Sequence, residues 1–182
     1  MTATEVLKHE HQIILKVVGA AQREAQAIQA TGKMHPAKLE QMVDFCQTFI
    51  DRCHHGKEEE YLFPRMEERG ALAAKGPIAV MLEEHAQGRG LVQAVAADLP
   101  QALKGDSAAL DSVAAHLSFY ADLLQAHIDK ENHVLFPLAD KLFTPEDQLL
   151  LVQSFEKHEA EEMGAGTHER YHELAHELAG DH

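Results

Sequence analysis

The sequence has no tryptophan, only two cysteines and few aromatic residues of any kind, at 5%. It also lacks alternating β-type runs, long apolar stretches and a basic surplus, and each absence excludes something. Cys46 and Cys53 lie seven positions apart in a helical pattern. That is roughly 10 Å of rise at about 1.5 Å per residue, too far for a disulfide, so both read as small apolar residues of one buried face. No apolar run approaches the roughly 18–20 residues of a membrane span. The segment Met1 to Glu10 is polar, without the apolar centre of a secretory signal. The expected location is therefore cytoplasmic, with no membrane partner. Lys plus Arg total 16 against Asp plus Glu 30, a net charge of −14, which speaks against nucleic acid or anionic lipid as a partner.

What is present is a globular composition, 45% apolar and 25% charged over 182 residues, enough for one core with an appendage. The apolar period is helical nearly throughout. Helices are predicted from about Thr4 to Ala30, from Pro36 through Arg69, from Pro77 to about Leu103 and from Ser107 to about Leu142, with Gly32, Gly70 and the turn at Lys104-Gly105 as stops. Thr144-Pro145-Glu146-Asp147 is a helix start with a capping threonine, a proline suited to the first turn and acids at the positive end of the dipole. The fifth helix should reach Met163, and a sixth should follow Gly164-Ala165-Gly166 to about Ala179. The expected fold is all-α: an up-down-up-down four-helix bundle over 1–143 and a helical extension of one or two helices over 144–182.

Self-similarity locates the chemistry. Glu10-His11 recurs as Glu84-His85 at an offset of 74, and His54-x-x-x-Glu58 recurs as His127-x-x-x-Glu131 at 73, as does Leu62-Phe63-Pro64 in Leu135-Phe136-Pro137. Residues four apart share a helix stripe, and these stripes also carry Phe49, Ile50 and Leu62, or Leu123, Leu124 and Leu135, so the pairs should face inward. Antiparallel packing then brings His11, His54, Glu58, His85, His127 and Glu131 to one level. Buried, unpaired carboxylates cost several kcal/mol each, and two metal ions bridged by the two glutamates would compensate them. Imidazole with carboxylate suits iron, manganese or zinc, and the absence of nearby thiolates argues against an iron–sulfur cluster. Positions would remain for an oxo or hydroxo bridge and a small exogenous ligand.

At these residues, over about 4–142, the sequence resembles the hemerythrin-like, HHE cation-binding family, in the bacterial H…HxxxE…H…HxxxE pattern. The resemblance implies a four-helix bundle holding a non-haem di-iron centre with His11, His54, Glu58, His85, His127 and Glu131 as ligands. Respiratory members carry a further histidine four after the one at His85; here that position is Arg89, which turns the expectation away from plain reversible oxygen carriage. The implied function is binding or sensing of dioxygen, nitric oxide or peroxide, with an oxidoreductase (peroxide disproportionation, or iron handling in stress repair) as the alternative. No oligomeric state follows from the sequence.

Tyr61 and Tyr120 lie on nearly the ligand stripes and are candidates for a further ligand, with packing as the alternative; His168 or Glu162 could fold back to the same end. His55 is rotated about 100° from His54 and is expected to be exposed. Lys57, Arg89 and the acids of 58–60 other than Glu58 are expected to be solvated, and His9, His116 and His133 have no counterpart in the repeat. The tail matches H-E-x-x-H twice, through His168, His172 and His176. A zinc protease also needs a third ligand and a sheet edge for substrate, so a packed amphipathic helix resting on Tyr171, Leu174 and Leu178 is expected instead.

Overall fold

A computed structural model describes residues 1–180. The chain forms α1 (Ala3–Thr31), α2 (36–68), α3 (Pro77–Leu103), α4 (107–142), α5 (Pro145–Glu162) and α6 (Thr167–Ala179), and no strand occurs among the described residues. Helices α1 to α4 make the up-down-up-down bundle, and α5 and α6 lie against it.

The helix starts are set by local chemistry. Thr2 and Glu5 form a capping box before α1, Asp106 caps α4 through the Ala109 amide, and Thr144, the cap predicted for α5, forms a full box with Asp147. At the end of α1, Gly32 takes a left-handed conformation (φ 66°) and returns its N–H to the Ile28 carbonyl, a conformation that favours glycine.

Two of the long helices are not α-helical throughout. Helix α2 is π-wound over Cys46–His55 and again over Glu58–Leu62, and α4 over Glu131–Leu135. The turns starting at Glu58 and Glu131 are repeat-equivalent: the Phe63 N–H donates to the Glu58 carbonyl, and the Phe136 N–H to the Glu131 carbonyl. Each wide turn is followed by a proline in the first turn of the next α segment. There the missing N–H is tolerated, and the helix runs on past Pro64 and Pro137. Wide turns of this kind cluster at functional sites, and here they hold the two glutamates of the repeat.

The apolar core is split in two. One cluster includes Leu7, Leu62, Phe63, Met81, Leu135 and Phe136, and is covered by Leu151 and Phe155 of α5. The other includes Ile14, Phe49, Val92, Leu124 and Ile128, and is covered by Tyr171, Ala175 and Leu178 of α6. The histidine and glutamate layer lies between them. Tyr171 also donates its hydroxyl to Asp44 at 2.8 Å, so α6 is the packed amphipathic helix expected. Cys46 and Cys53 are buried free thiols, and burial pushes both up to about 12, which keeps them protonated and unreactive.

Helix α5 closes tightly on α2 at Gly56. A Cβ there would lie 2.5 Å from His158 Nε2, the nitrogen that donates to the Arg52 carbonyl at 2.8 Å. Gly56→Ala is expected to lose about 1–3 kcal/mol in urea unfolding as α5 is pushed off. Gly90→Ala, at a helical position with nothing within 4 Å of a new Cβ, is expected to gain about 0.5–1 kcal/mol.

Candidate metal centre

The structure brings His11, His54, Glu58, His85, His127 and Glu131 together, all at most 1% exposed. The Nε2 atoms of His11 and His54 are 3.1 Å apart, as are those of His85 and His127. Glu58 spans the two pairs, with Oε1 3.6 Å from His54 Nε2 and Oε2 3.3 Å from His85 Nε2. Glu131 spans them in the opposite sense, with Oε2 3.0 Å from His11 Nε2 and Oε1 3.1 Å from His127 Nε2.

The opposite face of each imidazole explains why its Nε2 is bare. His54 Nδ1 donates to Glu10 Oε2 at 2.7 Å, His85 Nδ1 to Glu59 Oε1 at 2.7 Å, His127 Nδ1 to Glu84 Oε2 at 2.8 Å and His11 Nδ1 to Asn132 Oδ1 at 2.8 Å. A carboxylate or an amide oxygen only accepts, so each Nδ1 carries the hydrogen and each Nε2 turns a lone pair inward. The acceptors follow the repeat too: Glu10 corresponds to Glu84 at 74 and Glu59 to Asn132 at 73. Around the bundle the donation runs one way, from α2 to α1, α3 to α2, α4 to α3 and α1 to α4. Phe136 stacks on the His11 ring (5.4 Å, 11°) and Phe63 on the His85 ring (6.0 Å, 22°), which fixes the ring planes.

Behind Glu10 and Glu84 stands a second matched pair. Lys57 bonds Glu10 and Lys130 bonds Glu84, again at an offset of 73. Lys57 is fully buried and also reaches Glu159 of α5 at 3.0 Å.

The electrostatics of the layer are unbalanced without cations. None of the four carboxylate oxygens of Glu58 and Glu131 has a hydrogen-bond donor. Burial, and then the charge of Glu131, push the Glu58 carboxyl well above its ordinary range. Burial lowers His54 to about 4, which keeps that imidazole neutral and able to give its lone pair. Inward lone pairs 3.1 Å apart, facing orphaned carboxylates, are what positive ions relieve. His11, His54, Glu58 and Glu131 form one group of donor atoms within 4.8 Å of one another, and His55, Glu58, His85 and His127 form another. The residues fit two cations, and nitrogen with carboxylate oxygen is a donor set for iron, manganese or zinc.

The family model for the hemerythrin HHE cation-binding domain matches residues 2–139. The chain belongs to that family. As a hemerythrin domain it is a metal-binding helical bundle, and its histidine and glutamate groups lie within the matched span. It is 26% identical over 164 residues to uncharacterized proteins of Mycobacterium tuberculosis and Mycobacterium bovis, which cover 90% of this chain. The chain spans 64% of the length of those relatives. No solved structure matches it. Among the described residues no helix is long and apolar enough to cross a membrane.

Several neighbours of the layer depart from the sequence expectations. His55, expected outside, is 5% exposed; in the π-wound stretch neighbouring residues are rotated by less than α-helical spacing, which keeps it on the inner side. Lys57, expected in solvent, is covered because α5 brings Glu159 over it. Arg89 is half-buried between Asp51 and Glu59, at 2.7 Å from each. Glu59 is no solvated acid: it is half-buried, and hydrogen bonds from His85 and Arg89 hold its carboxyl below the ordinary range against the effect of burial. The 73-residue offset between Glu59 and Asn132 was the signal for it, hidden because the two differ in residue type.

The candidates for a further ligand lie elsewhere. Tyr61 packs edge-on against Phe155 and His158, Tyr120 lies against Gly88, and Glu162 is exposed. His168 does fold back, but to Glu10 Oε1 at 3.6 Å and Glu159 Oε2 at 3.7 Å.

Proposed function

We propose that this hemerythrin domain is a non-haem di-iron protein that binds or senses a small ligand, dioxygen, nitric oxide or peroxide. The observation that supports the reading most is the set of four buried carboxylate oxygens without donors, facing four imidazole lone pairs. His11 and His54 would hold one ion, His85 and His127 the other, with Glu58 and Glu131 between them. Iron supplies redox chemistry and affinity for diatomic ligands when bound. Two imidazoles and shared carboxylates give each ion fewer donors than six-coordinate iron accepts, which leaves room for an added ligand. The chain's own contribution is to fix the imidazoles by Nδ1 hydrogen bonds, with phenylalanine stacking on His11 and His85, to keep His54 neutral by burial, and to exclude water with two apolar layers.

Anaerobic iron loading followed by metal analysis is expected to give two ions per chain. Spectra after adding dioxygen, nitric oxide or peroxide should show near-ultraviolet bands that reverse when the ligand is removed. One ion or none would overturn the reading. Peroxide consumption far beyond iron stoichiometry would replace it with the oxidoreductase alternative.

A further inference from the structure

The repeat makes the surroundings of the two cation positions alike in most respects, but at three neighbouring positions hydrocarbon in one half is replaced by polar groups in the other. Asp51, His55 and Arg89 correspond, at offsets of 73, 73 and 74, to Leu124, Ile128 and Leu15. Leu124 and Ile128 are core residues at 4% and 2% exposure, and Leu15 packs against the same core. Hydrocarbon therefore fills these positions on the side of His11 and His54, and a polar trio fills them on the side of His85 and His127. An imidazole at a position built for isoleucine needs a reason.

His55 has the contacts of a donor without a recipient. It is buried, and neither ring nitrogen has a hydrogen-bond partner. Its ring stacks on His85 with centroids 3.8 Å apart and planes 17° from parallel. A ring nitrogen lies within 4.8 Å of donor atoms of Glu58, His85 and His127. His55 Nδ1 is 3.6 Å from Asp51 Oδ1, beyond hydrogen-bond distance, and Asp51 itself accepts from Arg89 Nε at 2.7 Å, so a carboxylate stands beside this ring without yet bonding it. Behind the ring is a cavity of about 110 Å³ bordered by Asp51, Gly88, Arg89 and Tyr120. Gly88 leaves that space where its counterpart in the other half is Ile14. The ring is thus not wedged in place by tight packing behind it, and a small shift would bring its nitrogen to the roughly 2 Å bond length of a metal–imidazole contact.

We propose that His55 is a fifth imidazole donor serving only the cation position of His85 and His127, held in place by the Asp51–Arg89 pair. This rests on the two-cation reading above, and it makes the two positions unequal in donor number and affinity.

The test is His55→Ile, which installs the residue its repeat counterpart carries and keeps the site filled. Competition titrations with Zn(II) and visible spectra with Co(II) are compared with those of the unaltered protein. Expected is a loss of more than about tenfold in affinity for one of the two ions, with the other within twofold, and a changed Co(II) spectrum for half the metal. His55→Glu, which retains a donor, should recover most of the lost affinity. Helicity and melting of the metal-free His55→Ile protein should equal or exceed those of the unaltered chain, which separates lost ligation from lost folding. Unchanged affinity for both ions, or equal weakening of both, would overturn the proposal while leaving the two-cation reading intact. Fewer than two ions on the unaltered protein would overturn that reading first.

Discussion

Removing divalent metal by chelation and dialysis should lower the melting temperature by roughly 15–30 °C. An ion that binds the folded chain only, at a free concentration about a thousand times its dissociation constant, adds about 4 kcal/mol of stability, and two ions add about twice that. For a chain of 182 residues, each kcal/mol moves the midpoint by about 2–4 °C. The stabilisation has a clear origin here. Without cations the folded state must hold Glu58 and Glu131 with no donor to any oxygen, and the bare nitrogens of the paired imidazoles face each other at 3.1 Å. Scanning calorimetry of the chelated and reloaded protein measures the difference. A midpoint that does not move on chelation would show that the layer is stable by itself.

Replacing both glutamates with an apolar residue of similar length should do the reverse. The Glu58→Met/Glu131→Met protein is expected to bind neither ion pairwise and to melt at the same temperature with and without chelator. In the metal-free state it should be about 1–4 kcal/mol more stable than the unaltered chain, because well-packed hydrocarbon at such positions is commonly as good as or better than buried charge. Both side chains are fully buried in the layer between the apolar clusters, so a methionine there replaces a buried carboxylate with an apolar chain. Urea unfolding in excess chelator gives the comparison. A metal-free double variant markedly weaker than the parent would mean that the glutamates stabilise the bundle by themselves, apart from any cation.

The bundle and its convergence at one level follow from features visible along the chain. Glycine stops, the Thr144 cap and the three-and-four apolar period mark the helices, and two offsets identify the six inner side chains. Two kinds of information were out of reach. The first is local winding: over five to ten residues an apolar pattern does not separate a π turn from an α turn, and the direction of His55 depends on that difference. The second is long-range cover. Lys57 follows His54-His55-Gly56 and precedes three glutamates, so only the approach of α5 from more than a hundred positions away explains why it is enclosed. Arg89 belongs to both kinds, since its partners Asp51 and Glu59 lie one in each of the two π-wound stretches of α2.

The one-way circuit of imidazole donations has a mechanical meaning. Every helix of the bundle is tied to the next by a bond that crosses between staves, and the last is tied to the first. The order of the staves is therefore recorded twice, in the covalent thread and in a hoop around the middle of the barrel. The hoop does not depend on the connections at 32–35, 69–76 or 104–106, so those loops are free to vary in length and composition without altering which neighbour each stave grips.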